Sequence, residues 1–344
     1  MKSAPLWVKL FMGMALVAAA FAGLAFVPTN DVAFAPVAPI DLDGRITVDG
    51  SPLEPLQGRL YLVGVTERHV NLLQRAALDI GDSSVDFAKV PASGGVTSGP
   101  SQADVAAMAR AKQISAAVAY ELSGADGKVV WSGQAATVGS TEPGLPAFGK
   151  LQAGDVIEQV NGVAYDNSVD VGKAINQLKP GSKVVLFVRR AGEATKVSLR
   201  TVAPVPGDAV HRSRLGLAID TIGLQVKLPH RVAIDSAQVV GPSAGLAFAL
   251  AMYDAFDTNV DLLRGRHVVA TGSLTPDGQV APVGRVRQKA IATQRAGHDL
   301  LLVPAANAAD AKAAIADTCK GEARCVQVIG VGSVQEAIRV LEGA

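Results

Sequence analysis

A glycine-flanked serine and a lysine on an apolar helical stripe are the groups in this chain best suited to covalent chemistry. Gly241-Pro242-Ser243-Ala244-Gly245 ends a strand-like run, Val232 to Asp235, and opens an apolar helix, Ala244 to Phe256. Gly241 and Pro242 break the strand, and Gly245 leaves room for another backbone to approach. The free N–H groups of a helix start favour negative charge, so an attacking Ser243 hydroxyl would have an oxyanion hole in the amides of Ser243 and Ala244. Alone, the motif also fits an N-cap serine in a tight turn.

Lys289 is the matching base. In the helix Arg285 to Ala296, Val286, Lys289, Ala290 and Thr293 share the apolar face; Arg285, Gln288, Ala292 and Arg295 take another, with Arg285, Arg287 and Arg295 expected in solvent. Burial favours the neutral amine, and lowering a lysine from about 10.4 to about 8 represents roughly 3 kcal/mol between its two protonation states. A neutral amine can take the proton of a serine hydroxyl; a charged one cannot. The alternative is a lysine that snorkels, with only its stem packed.

The elements around these groups divide into two patterns. Between Lys128 and Val202, short strands alternate with glycine turns: Leu151 to Gly162 with its Asn161-Gly162 turn, a helix from Asp170 to Leu178, and the strands Lys183 to Arg189 and Thr195 to Thr201. This order resembles a PDZ domain over about Val118 to Val202. The resemblance implies a groove between a strand and a helix that accepts an extended peptide by strand addition. The loop that would hold a terminal carboxylate has only a loose candidate in Val138-Gly139-Ser140.

From Leu215 onward, strands mix with helices, which indicates a compact α/β module. Asp235 to Leu250 with its Gly-Pro-Ser-Ala-Gly, then Ala270 to Leu274, Gly278 to Gly284 and Arg287-Gln288-Lys289, then Leu302 to Asn307, resemble in order the proteolytic domain of Lon-type proteases. The resemblance implies Ser243 as nucleophile, Lys289 as general base and Thr271 as a hydrogen-bonding support near the lysine. It also implies ring assembly, with a homo-oligomer and possibly a hexamer expected. Two positions depart from the pattern: Val240 stands where an acidic residue is common, and Arg285 follows Gly284 where a second glycine is usual. His267 and His298 are not needed as bases and are expected at the surface or in turns.

Composition narrows the remaining classes. A net charge of +1 and 4% aromatic residues give neither an electrostatic footprint nor a stacking platform for nucleic acid. Val171-Gly172-Lys173-Ala174 lacks the glycine-rich lead and the hydroxyl of a phosphate loop, so no ATPase is expected, and neither cofactor nor metal is expected. Cys319 and Cys325 can close a small loop as a disulfide or remain two thiols.

Lys2 and Lys9 precede an uncharged, apolar stretch from Leu10 to Asn30, long enough for a membrane helix. A cleaved signal peptide is the rival. The order of anchor, helical segment, PDZ-like module and Lon-like module resembles membrane-tethered, ATP-independent Lon-like proteases of bacteria. The expected fold is therefore α+β: a transmembrane anchor over 1–30, a linker and mainly helical segment over 31–117, a PDZ-like β-rich domain over 118–203 and a Lon-type α/β proteolytic domain over 209–344. The expected setting is a bacterial cell membrane, single-pass, with a cytoplasmic N-terminus and the catalytic domain outside. The expected function is an endopeptidase acting on unfolded protein or peptide substrates. An inactive membrane-anchored peptide-binding scaffold is the alternative, and a Ser-Lys amidase or esterase a third reading.

Overall fold

The computed structural model describes residues 14, 27–54, 57–81, 84–89, 101–203, 213–257 and 261–343. The expected anchor falls mostly outside them, and its described end is not helical. Strand β1 (Pro28–Pro36) begins there, with Pro28 paired to Asn71. Among the described residues no helix is long and apolar enough to cross a membrane. The transmembrane element, the membrane partner and the single-pass placement with an outside catalytic domain are corrected accordingly.

The segment expected as linker and mainly helical chain instead supplies strands from its start. β1 lies in a sheet with two strands that follow it, because its Val32-Ala33-Phe34 run can be buried. β2 (Arg59–Leu62) leaves for a second sheet, β3 (Val65–Asn71) returns beside β1, helix α1 (Leu72–Gly81) follows, and β4 (Asp86–Lys89) completes the order β3-β1-β4. Helix α2 (Gln102–Ser123) is capped by Ser101, whose side chain accepts from the Asp104 amide, and stops at Gly124 in the left-handed region.

The β-rich module comprises β5 (Ala135–Thr141), β6 (Val156–Val160), helix α3 (Ser168–Asn176), β7 (Lys183–Arg190), β8 (Glu193–Arg200) and β9 (Leu217–Ile222), in sheet order β8-β7-β6-β5-β9. Alternation places Val184, Leu186 and Val188 of β7 in its core with Ile157 and Leu199. Arg190 clasps the buried Asp155 at 2.7 Å and, as the main cause, holds that carboxyl below its ordinary value. The strand at 217–222, expected to open the next module, pairs antiparallel with β5. Val138-Gly139-Ser140 is correspondingly strand rather than loop, paired along β9.

The second module is built on parallel strands. Helix α4 (Gly245–Phe256), β10 (His267–Ala270), the short β11 (Ser273–Leu274), helix α5 (Val286–Arg295), β12 (Leu300–Pro304), helix α6 (Ala308–Thr318), β13 (Gln327–Val331) and helix α7 (Val334–Gly343) follow one another. β2, β10, β12 and β13 run parallel as neighbours, with Ile40–Asp41 antiparallel on the outer edge of β2. Parallel pairing needs crossovers, and helices on both faces explain the continuous apolar run of Leu300 to Pro304. β2 comes from the segment expected as linker, and α2 packs on α4, so chain on both sides of the PDZ-like module builds this core. The whole is a mixed α/β fold with a β-rich PDZ-like region and an α/β region.

Candidate active site

The serine turn is fixed by backbone geometry. Gly241 adopts φ 84° and ψ 165°, a region essentially reserved for glycine, and the chain then enters a 3-10 turn over Pro242–Ala244 that runs into α4. The Thr271-Gly272 backbone clasps this turn from outside. Gly272 N–H donates to the Ser243 carbonyl at 2.7 Å, and Leu246 N–H donates to the Gly272 carbonyl at 3.0 Å. A Cβ on Gly272 would come within 2.5 Å of Val280, so the close approach requires glycine there.

Helix α2 holds the turn from the other side. The Asp104 carbonyl accepts from Gly241 N–H at 3.1 Å, and the buried Ser115 hydroxyl lies 2.9 Å from the Gly245 carbonyl and 2.6 Å from that of Ala111. These supports were missed in the sequence. A serine in an alanine-rich helix carries no local sign of a partner 130 residues away.

Lys289 lies in the first turns of α5 and is 3% exposed. Its Nζ donates to the Thr271 hydroxyl at 2.9 Å, and that hydroxyl donates to the Ser243 carbonyl at 3.0 Å. Desolvation pushes the amine down to about 8. The structure thus brings Lys289 and Thr271 together at the turn carrying Ser243 and Ala244; no direct hydrogen bond joins Nζ to the Ser243 hydroxyl among the described residues. Such contacts commonly tighten only when substrate is bound.

Burial around α5 is wider than one stripe. Gln288, Ala292 and Gln294 are buried along with Lys289, because β1, β12 and α6 all pack around this helix. Arg285 is only partly in solvent: its guanidinium lies 3.6 Å from the centroid of the Phe34 ring. Of the two histidines set aside as bases, His267 is exposed, whereas His298 is buried against Tyr61 with ring centroids 4.2 Å apart. Cys319 and Cys325 form a disulfide after α6. No cluster of three or more histidine, cysteine, aspartate or glutamate side chains suited to a metal ion occurs among the described residues.

Comparison with known proteins places two matches along the chain. Residues 228–341 match the Lon protease (S16) C-terminal proteolytic domain, and residues 120–201 match the PDZ domain. The chain is 33% identical over 158 residues to Lon protease of Roseiflexus castenholzii, covering 45% of this chain and 19% of that protein. It is 37% identical over 196 residues to Lon protease of Brucella abortus, covering 54% and 22%. The chain therefore spans about a fifth of the length of these relatives. The PDZ domain of an SdrC-like protein from Listeria innocua matches at 24% identity and a TM-score of 0.23, over 25% of this chain and 92% of that structure. The chain carries a Lon-protease-like proteolytic domain together with a PDZ domain, and homology to the former supports a serine-protease-type hydrolytic function.

Proposed function

We propose that the chain is an endopeptidase that cuts unfolded or accessible protein segments with a Ser243-Lys289 dyad. The observation that carries this reading is the buried Lys289 amine, linked through Thr271 to the turn that bears Ser243. At pH values above about 8 the amine is mostly neutral and takes the Ser243 proton as the oxygen attacks a peptide carbonyl. The oxyanion is held by the amides of Ser243 and Ala244 at the start of α4. Collapse to the acyl-enzyme breaks the C–N bond, and protonated Lys289 gives its proton to the leaving amine. Water then repeats the sequence on the ester. The route uses no metal or cofactor, and with no phosphate-loop motif in the sequence the proposed cleavage is independent of ATP.

The PDZ-like module supplies capture in this reading. β9 ends its sheet order, and Ser168 at the start of α3 is tied to Thr221 of β9 by hydroxyls 2.7 Å apart. An extended segment adding along the outer edge of β9 beside α3 would be held by main-chain hydrogen bonds before cleavage.

The test is digestion of casein by the purified chain, beside S243A and K289A. The dyad predicts cleavage by the parent and loss in both variants. Retention of casein without cleavage by the parent would make the chain a peptide-binding scaffold, and undiminished cleavage by either variant would end the dyad reading.

A further inference from the structure

We propose that Arg285 is a positioning residue, clamped by Phe34 and Asp86 of the N-terminal sheet, and that this clamp fixes the first turn of α5 and thereby the Lys289 side chain. The inference rests on Lys289 being the general base.

Arg285 is the N-cap of α5 and has φ 58° and ψ 33°, the left-handed region, which a side chain normally disfavours and glycine tolerates. A non-glycine residue held there needs compensating contacts. Two are present. The guanidinium stacks on Phe34 at 3.6 Å, and Nη1 lies 3.4 Å from the Asp86 carboxylate.

Strand register explains why one arginine reaches both. Phe34 of β1 pairs directly with Asp86 of β4, so the two side chains leave the same face of the sheet. The next pair, Ala33 with Phe87, points to the opposite face. There a second arginine, Arg75 of α1, lies 3.7 Å from the Phe87 centroid and 3.7 Å from Asp31, two residues along from Ala33. The sheet is thus held between α1 and the start of α5, with one arginine on each face.

The connection to the reacting amine is short. The Arg285 carbonyl accepts from the Lys289 amide at 3.2 Å, closing the first turn of α5. One residue earlier, the buried Gln288 reaches the Ser84 carbonyl at 3.5 Å, a second contact between α5 and the segment leading to β4. Rotation of this first turn would move Nζ away from the Thr271 hydroxyl and open it to water. The chain before the PDZ-like module would then be needed for turnover although it supplies none of the reacting groups.

Arg285→Gly is the cleanest variant, because glycine accepts the left-handed backbone while the clamp disappears. Phe34→Ala removes the ring, and Phe34→Tyr keeps it. The full chain is assayed for casein cleavage across pH 6 to 10, with K289A as control and thermal unfolding to confirm folding. Competitive acetylation read by mass spectrometry gives the Lys289 titration midpoint independently of turnover. The expected result is about tenfold lower kcat near pH 7.5 in R285G and F34A, little change in KM, a Lys289 midpoint and acid limb displaced upward, and recovery in F34Y. Folded R285G and F34A with the parent's Lys289 midpoint and pH profile would overturn the clamp. Cleavage insensitive to K289A would sink the dyad reading alone; the Lys289 midpoints would still decide whether the clamp positions the amine.

Discussion

Lys289 Nζ donates to the Thr271 hydroxyl over 2.9 Å, and the same hydroxyl donates to the Ser243 carbonyl. One threonine therefore spends its proton on the serine turn and a lone pair on the amine, so both partners of the proposed dyad are referenced to a single oxygen. A neutral lysine that gives one N–H to Thr271 keeps its own lone pair for another proton.

Thr271→Val preserves shape and removes both hydrogen bonds. A net loss of about 1 kcal/mol or more in orienting the amine corresponds to at least about a fivefold fall in kcat. Thr271→Ser should retain most of the rate. Steady-state casein or peptide cleavage by the two variants checks this, and a Val variant as fast as the parent would remove the threonine from the mechanism.

Cleavage should follow the neutral form of Lys289. With the amine lowered to about 8, the rate rises with pH, reaches half of its plateau near 8 and falls tenfold per unit well below that. A kcat/KM profile already flat between pH 5 and 7 would contradict the assignment.

The same amine makes stability depend on pH. The folded value, about 8, lies below the value of 10.5 for an unperturbed lysine, so the unfolded chain binds more protons in between and stability increases as pH rises through that window. Below it, burial of the charge costs on the order of 3 kcal/mol. Lys289→Met should therefore abolish cleavage yet unfold at higher denaturant concentration near pH 7, with the gain shrinking toward pH 10. Equal stability of parent and variant at pH 7 would show that the amine is not desolvated.

Gly241→Ala meets no atom within 4 Å, so its cost is conformational alone. Leaving φ 84°, ψ 165° is worth about 1–3 kcal/mol and would rotate the serine turn. Chemical denaturation and cleavage measured on the same preparation should show a stability loss in that range together with a larger loss of rate.

Ser115→Ala tests the support from α2. It removes the hydroxyl that lies between the Ala111 carbonyl and the Gly245 carbonyl, the latter also bonded within α4, at a cost of about 0.5–1.5 kcal/mol. The change should lower the unfolding midpoint and leave the pH profile in place, since Ser115 touches neither the amine nor Thr271.

The burial of Lys289 and the apolar helix that follows Ser243 were legible in the sequence because their signals are local: a Gly-Pro turn, a run of apolar residues, and a lysine at core spacing. The PDZ-like hairpins could be read for the same reason, since turn residues and alternation report on neighbours a few positions away. What the sequence could not decide was which distant segments complete each module. The pairing of β9 with β5, the place of β2 beside β10, and the joining of Asp104 and Ser115 to the serine turn are all long-range. An isolated strand edge accepts any extended partner, and only packing of the whole chain selects one. Arg285 shows the same limit in a single residue. By helical spacing it belongs in water, and only the register of β1 against β4 put an aromatic ring and a carboxylate within its reach.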